Sequence, residues 1–453
     1  MGAQPSMEPG AFFRIVTDPS VFDFGEFNLF KVFYVRYFFG RQLAQMNPAW
    51  KQEARPKLAG LVIARILSLF QALGTAIRLR LSGPPRVLFY GATGRVSTVD
   101  GICYDLYNAR IVGEHGRERF VIVEDTADGV DKRYRPDFQM NDFGLVIRLL
   151  GKLNLVLRGA RLRHFAERVA TTYPELGFSA GEAAVTVATF YANYQVNRFL
   201  LALLAPKHAL LICHYGREAF IAACKSRGLH VTELMHGSIV GVDTFYNYPP
   251  SYGHLFDRAL FPDKTAVYGE FWRRAVTNGH MFPAEAVVVA GYYLKVPTRQ
   301  RERKAGTKTR ILICTQPTVQ PELLAYLAFL KASVDRAGWE ITIKPHPREN
   351  AAPYEALAEA GFVSVSNRTA YELLAECDVH ISSYSSVLYE AILYGVCNYA
   401  LYVDRYAQYC DEVISSGAAL PLRSDQVPVP CASDVEEARF YLDDYHPDVL
   451  FGS

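Results

Sequence analysis

Four serines, Ser382, Ser383, Ser385 and Ser386, follow the β-prone Val379-His-Ile381 and precede Val387–Tyr394, where apolar residues fall at helical spacing. The pattern predicts a strand, a serine turn and a helix. Ser385 or Ser386 is expected to cap that helix, with backbone N–H groups and the positive dipole end facing outward, an arrangement that binds phosphate. Glu390, one turn in, is placed to reach a neighbouring hydroxyl. Upstream, the strand-like Glu340–Lys344 runs into Lys344-Pro-His-Pro-Arg348. The prolines on either side of His346 fix the backbone there. With Lys344 and Arg348 beside it, His346 suits donation to a phosphate oxygen. Thr315-Gln-Pro-Thr318 follows a third strand, Arg310–Cys314, and its Thr315 and Gln316 offer polar groups to a base or ribose. Together the loops 315–318, 344–348 and 382–386 would form one pocket for a nucleotide mono- or diphosphate. No aspartate pair marks a metal site, so the phosphate charge is left to the helix end, Lys344 and Arg348.

A second kind of chemistry is offered by Glu233-Leu-Met-His-Gly-Ser238. His236 follows a strand at a glycine turn and can change charge near neutral pH, so it could take a proton from an acceptor hydroxyl. Glu233 and Asp243 are the nearby acids that would orient it or act as base instead. The plain alternatives to these roles are a capped helix, a rigid turn and a hydrogen-bonded turn histidine. Gly91-Ala-Thr-Gly94 hints at a dinucleotide fingerprint, but Ser97 stands where the third glycine belongs and 97–107 is a poor helix. Tight-turn duty is the better reading there.

The elements that must hold these residues follow from the alternation of the chain. From Arg86 onward, strands (Val87–Tyr90, Phe120–Glu124, Leu210–Cys213, Val231–Met235, Thr265–Tyr268, Val287–Ala290) alternate with helices, and 145–199 reads as several helical segments. That is an α/β domain with a largely parallel sheet. The basic stretch 295–308 reads as a linker, after which the alternation restarts. The expected architecture is two Rossmann-like domains facing a cleft, 86–295 and 296–453, with a helical extension at 1–85. In such folds ligands bind at the C-terminal ends of the strands.

Within the extension, 28–39 is dense in aromatics, and Leu58–Ile77 is apolar over a length that could span a membrane. Arg65, Ser68, Gln71, Thr75 and Arg78 share one face of that helix, opposite Leu61, Ile66, Leu69, Phe70 and Leu73. A span would strand Arg65 near the bilayer centre. This leaves a helix packed on its own protein or one lying in a membrane interface, with 28–80 as the peripheral contact. Met1-Gly2 opens a loose myristoylation pattern, and no secretory signal is visible.

At 453 residues, half of them hydrophobic and 21% charged, the chain is globular with a large core. A net charge of +2 gives no reason to expect a nucleic-acid partner. Eight cysteines without a CxxC pair read as core thiols of a reducing compartment, neither a zinc site nor a disulfide framework. The expected location is the cytoplasm, peripheral to the inner face of the membrane.

The run Tyr371–Ala391, with Lys-Pro-His-Pro before it and Met-His-Gly-Ser in the first domain, resembles bacterial surface-polysaccharide transferases of the GT-B fold. Tyr268-Gly-Glu-Phe-Trp272 followed by Val287–Gly291 resembles the end of that family's first domain. The likeness covers 205–405 and leaves 1–200 unmatched. It implies inverting, metal-independent transfer from a CMP-, CDP- or UDP-linked donor, with no permanently bound cofactor. The acceptor it implies is a glycan, commonly lipid-linked. By residue, it sets His346 and Ser385/Ser386 on donor phosphate and His236 near the acceptor. Ser383 and Ser238 depart from the CDP-glycerol glycerophosphotransferase branch, which carries Asp and Thr there. Sugar transfer in capsule synthesis is therefore favoured, with glycerol-phosphate transfer as the alternative. A UDP-sugar 2-epimerase or a non-catalytic nucleotide-binding homologue also fits.

Overall fold

A computed structural model describes residues 11–46, 58–83, 85, 87–91, 96–99, 102–125, 136–239, 241, 245–294, 308–334, 338–346, 349–431, 435–441 and 445–451. The chain forms two compact units. Met1–His236, Asp243–Leu294 and Asp444–Ser453 make the first; Gly237–Val242 and Lys295–Asp443 make the second.

Strands in the first unit are buried apolar runs, as expected where helices cover both faces of a parallel sheet. They are β1 (Val87–Tyr90), β2 (Phe120–Glu124), β3 (Phe138–Gln139), β4 (His208–Ile212), β5 (His230–Leu234), β6 (Lys264–Val267) and β7 (Val287–Val289). Their order is β7-β6-β5-β4-β1-β2-β3, every pair parallel. The chain thus starts at β1, builds outward to β3, then crosses back to β4 and builds the other way. Residues 92–95 of the glycine motif lie outside the described residues. Beyond them, Val96–Val99 and Ile102–Asp105 pair as an antiparallel hairpin where a dinucleotide motif needs a helix.

The expected extension is part of this unit. Helix α1 (Phe30–Met46) buries Phe30, Phe33, Tyr34 and Tyr37, one helical face. Its rings meet those of the later chain, Phe30 against Tyr252 at 4.8 Å and Tyr34 against Phe245 at 5.3 Å. The aromatic run is therefore core, and the membrane contact expected through 28–80 loses these residues.

Helix α2 (Leu58–Leu81) reverses the usual amphipathic logic. Ala72 and Ala76 are buried and Arg65, Ser68 and Thr75 half-buried, while Ile66, Leu67, Phe70, Ile77 and Leu81 are exposed. The small residues Ala72 and Ala76 pack inward and much of the bulky apolar surface looks out, with Leu69 and Leu73 half-buried and the polar Gln71 and Arg78 exposed. Helices α3 (Gly144–Leu157), α4 (Gly159–Thr172) and α5 (Ala180–Leu204) complete the layer. A capping box starts α5, Ser179 Oγ accepting from the Glu182 N–H at 3.2 Å while Glu182 Oε2 accepts from the Ser179 N–H at 3.0 Å. Among the described residues no helix is long and apolar enough to cross a membrane.

The second unit repeats the plan with β8 (Thr309–Cys314), β9 (Trp339–Lys344), β10 (Ser364–Val365), β11 (Val379–Ser382), β12 (Cys397–Leu401) and β13 (Leu420–Leu422). The order is β10-β9-β8-β11-β12-β13, again all parallel. Ile311, Ile313, Ile343 and Ile381 pack against Leu323, Leu327 and Leu330 of helix α7 (Gln320–Ser333), with helix α6 (Glu218–Lys225) belonging to the first unit.

One expectation about the cysteines is overturned. Cys397 and Cys431 form a disulfide with Cα atoms 5.3 Å apart. The chain after β13 returns along β12, where the Tyr399 hydroxyl donates to the Val429 carbonyl at 2.7 Å, and this brings the two thiols together. Cys213, Cys224, Cys314, Cys377 and Cys410 are not disulfide-bonded.

Candidate functional site

In the second sheet the chain leaves β8, builds β9 and β10 to one side, then crosses to β11, so the C-terminal ends of β8 and β11 flank the point where strand order reverses. Doubly wound sheets bind ligands in that crevice. The predicted loops 315–318 and 382–386 stand on either side of it, and the Pro-His-Pro turn follows the neighbouring β9.

Hydrogen bonds tie these loops together. The His346 N–H reaches Thr315 Oγ1 at 3.2 Å and Glu349 Oε2 at 3.3 Å. The Tyr384 N–H reaches Gln316 Oε1 at 3.4 Å, and the Thr318 and Tyr384 hydroxyls bond directly. Glu349 is the hub. Besides His346, it takes the Tyr354 hydroxyl at 2.7 Å, the Gln320 amide at 3.2 Å and the Thr315 hydroxyl. Sequence reasoning missed it, since nothing in Arg348-Glu-Asn350 singles it out. Tyr384 also stacks on Tyr406, with ring centres 4.4 Å apart.

The predicted residues fall into three groups. Lys344 is half-buried and its Nζ donates to the Pro345 carbonyl at 3.1 Å. Burial holds its pKa below the usual lysine range, with Cys314 pulling the other way. Among the described residues no carboxylate pairs with it. Ser382 and Ser383 are buried; Ser382 Oγ donates to the Cys314 carbonyl at 2.8 Å and Ser383 Oγ lies 3.9 Å from Cys410 Sγ. Ser382 is thereby tied to the end of β8, and Ser383, just past the end of β11, is buried beside Cys410. Ser385 and Ser386 remain half-buried at the turn. Arg348 lies outside the described residues.

The capping expectation needs correction. Ser386 already has helical backbone angles and makes no side-chain cap bond. Ser385 Oγ accepts only a long 3.4 Å bond from the Val387 N–H. The α-helix Val387–Glu390 is short and tightens at once into a 3₁₀ turn, Ala391–Tyr394, so its dipole is modest. Glu390 does reach a hydroxyl, accepting from Ser386 Oγ at 3.2 Å. The segment 237–242 belongs to this unit, and its Gly241 N–H donates to Glu412.

In the first unit, tyrosines clamp the end of β5. The Met235 carbonyl accepts from Tyr268 at 2.8 Å and from Tyr293 at 2.5 Å, and the His236 carbonyl accepts from Tyr107 at 2.7 Å. The ring of His236 is held by residues that sequence reasoning did not propose, Cys213 Sγ at 3.0 Å and the Tyr215 hydroxyl at 3.1 Å from Nε2. Glu233 does not orient it. That carboxylate is fully buried and accepts from the His214 N–H (2.8 Å), Tyr246 (2.7 Å) and Thr265 (3.3 Å). Burial pushes its pKa up to about 7, against those hydrogen bonds and Lys31. Lys31, equally buried on α1, donates to the His214 and Leu260 carbonyls, and burial lowers its pKa to about 8. Asp243 lies outside the described residues. Among the described residues no cluster of His, Cys, Asp or Glu could hold a metal.

No family model matches the sequence, and no curated protein does. Solved structures with a similar backbone include the UDP-GlcNAc 2-epimerase of Neisseria meningitidis bound to UDP-GlcNAc (TM-score 0.45, 11% identity, 73% of this chain and 86% of that one). The UDP-GlcNAc 2-epimerase of Methanocaldococcus jannaschii gives a TM-score of 0.47 at 9% identity, over 80% of this chain and 98% of that one. MurG of Acinetobacter baumannii gives 0.41 at 13% identity, over 76% and 88%. Likeness at this level assigns neither reaction nor ligand.

Proposed function

We propose that the protein is a GT-B nucleotide-sugar-dependent glycosyltransferase, with the second unit holding the donor nucleotide and His236 of the first serving the acceptor. The observation that carries the reading is the crevice between β8 and β11. Three polar loops meet there beside Lys344, a cation without a carboxylate partner among the described residues, which suits a diphosphate. A calorimetric panel of CMP, CDP, UDP and GDP with their sugar or glycerol conjugates tests it. One nucleotide family should bind, and Ser385→Ala/Ser386→Ala should weaken it by about tenfold, the loss of one or two charge-assisted hydrogen bonds. Binding by none of them would overturn the reading. Preference for CDP-glycerol would favour glycerol-phosphate transfer, and release of UDP with no acceptor present would favour 2-epimerisation. Nucleotide binding with no turnover on any acceptor would favour a non-catalytic homologue.

We further infer that this transfer takes place at an anionic membrane surface, on a lipid-linked acceptor. Support comes from α2 and its neighbour α3, which expose Phe70, Leu81, Leu149, Leu153, Val156 and Leu157. The same helices carry Arg78, Arg80, Arg148 and Lys152 and not one acid. Each such cation adds about 1 kcal/mol near an anionic leaflet. The protein should sediment with phosphatidylglycerol-containing vesicles and not with phosphatidylcholine alone, and Phe70→Ser/Leu153→Ser should abolish this. A stable dimer in light scattering that the same variant splits would instead assign the face to a second copy.

A further inference from the structure

The first sheet has its own reversal of strand order, between β1 and β4, and its own crevice. A cavity of about 680 Å³ lies there, lined by Tyr90 and Asp125 from the strand ends, by 216–220 at the start of α6, and by α1, α3 and α5. Small-ligand pockets occupy ~300–1,000 Å³. Most of the elements lining it lie outside the stretch that resembles any family.

Its charges are balanced internally. Arg217, only 8% exposed, donates Nη1 to Asp125 at 2.7 Å and Nη2 to the Gly91 carbonyl at 2.8 Å, and lies over the Tyr90 ring at 4.2 Å. The other Asp125 oxygen accepts from the Tyr90 hydroxyl at 2.5 Å. Arg217 Nε is buried with no hydrogen-bond partner.

Helix α5 adds Thr186, Thr189, Asn193 and Asn197 to the lining, at spacings of three, four and four, a single face. The Asn193 amide donates to the Thr189 carbonyl and the Asn197 amide to the Asn193 carbonyl, both at 2.9 Å. The amide oxygens are left as acceptors. Phe190 and Phe220 supply apolar rings. Arg36 and the buried Glu218 also line the cavity, so its two cations, Arg36 and Arg217, are matched by two carboxylates, Asp125 and Glu218, and an anion gains little here. An apolar guest would leave the guanidinium and the amides unsatisfied. A ring bearing hydroxyls offers donors, acceptors and an apolar face at once.

We propose that this cavity is a saccharide-binding site for a neutral, polyhydroxylated ring. Binding there requires no nucleotide in the second unit, so the two can fail separately.

Saturation-transfer NMR on the full chain tests it, using the methyl glycosides of glucose, galactose, N-acetylglucosamine and rhamnose without nucleotide. At least one should give a signal. Thr189→Trp, which fills the cavity from an exposed helical position, and Asn193→Leu, which removes one acceptor, should each weaken binding by about tenfold or more. Unchanged melting temperature shows that a variant has folded; if one does not fold, the other decides. No signal from any glycoside, a signal that the folded variants retain, or displacement of the glycoside by inorganic phosphate would each overturn the assignment.

Discussion

At the first crevice the buried cation already has its anion, Arg217 on Asp125, with Tyr90 and the Gly91 carbonyl completing the set. At the second, Lys344 has, among the described residues, a neighbouring carbonyl and no carboxylate. The same strand topology thus carries two electrostatic designs. In one the charge is spent on the fold, and what remains for a guest is neutral hydrogen bonding. In the other the charge is kept at a cost in desolvation and remains for a guest to neutralise. The difference implies that removing each cation should damage a different property.

The largest effect belongs to the first crevice. Arg217→Ala leaves Asp125 Oδ2 and the Gly91 carbonyl without the guanidinium, and breaking a buried pair from one side costs ~3–5 kcal/mol. With Asp125 half-exposed, about 2–3 kcal/mol is expected, read as a lower urea midpoint. Nucleotide affinity of the folded protein should not change. A drop in nucleotide affinity larger than the drop in stability would erase the distinction between the crevices.

A comparable effect is expected from pH, through two buried groups of the first unit, Glu233 and Lys31. Glu233, raised from 4.5 to about 7, holds a proton in the folded state that the unfolded chain loses between those values. Its contribution is full below pH 4.5 and is lost as pH rises towards 7. Lys31, lowered from 10.5 to about 8, is neutral in the folded state where the unfolded chain is still charged, so stability climbs again from pH 8 to 10.5. The contribution of these two groups to the urea midpoint therefore falls along an acidic limb up to about pH 7 and climbs again from pH 8. It is superposed on the opposite acidic slope of the buried His380 imidazole, whose pKa burial lowers to about 4. Glu233→Gln should flatten the acidic limb alone; an unaltered limb would mean that another group titrates there.

What was legible in the chain was the alternation and the loops that end its strands. Periodicity reports which residues share a face and not which way that face turns, so α2 could be read as amphipathic but not as inverted. Strand-end motifs drew attention to His236 and His346. Their partners came from elsewhere: Cys213 and Tyr215 from the end of β4, Glu349 from beyond a turn. Arg217 and Asp125 lie 92 residues apart and neither stands in a motif. Ser382 looked equivalent to Ser383, Ser385 and Ser386, because composition cannot say which serine of a run still belongs to the strand.

Lys344→Met is the counterpart of Arg217→Ala. Removing a half-buried cation that has no carboxylate partner among the described residues relieves desolvation, so stability should hold or rise by up to about 1 kcal/mol, while nucleotide affinity falls by about tenfold. The pH dependence separates this from loss of packing. A bound diphosphate favours charged Lys344, so wild-type affinity should weaken as pH rises through its lowered pKa, and the Met variant should lack that slope. An identical slope in both would place the phosphate elsewhere.

Glu349→Gln has the smallest expected effect and the most specific one. The substitution keeps the shape but replaces one acceptor oxygen by an amide, and Oε1 and Oε2 both accept from several groups. One oxygen's bonds must be lost or inverted, loosening the Thr315 loop from the Pro-His-Pro turn. Nucleotide affinity should drop by about three- to fivefold, since the loops must then be ordered by the ligand. Because Glu349 holds the loops without itself supplying positive charge, the pH slope assigned to Lys344 should survive in the Gln variant. A lost slope with retained affinity would show that Glu349 sets the charge of the crevice, and the contrast with the Arg217–Asp125 pair would shrink to one of degree.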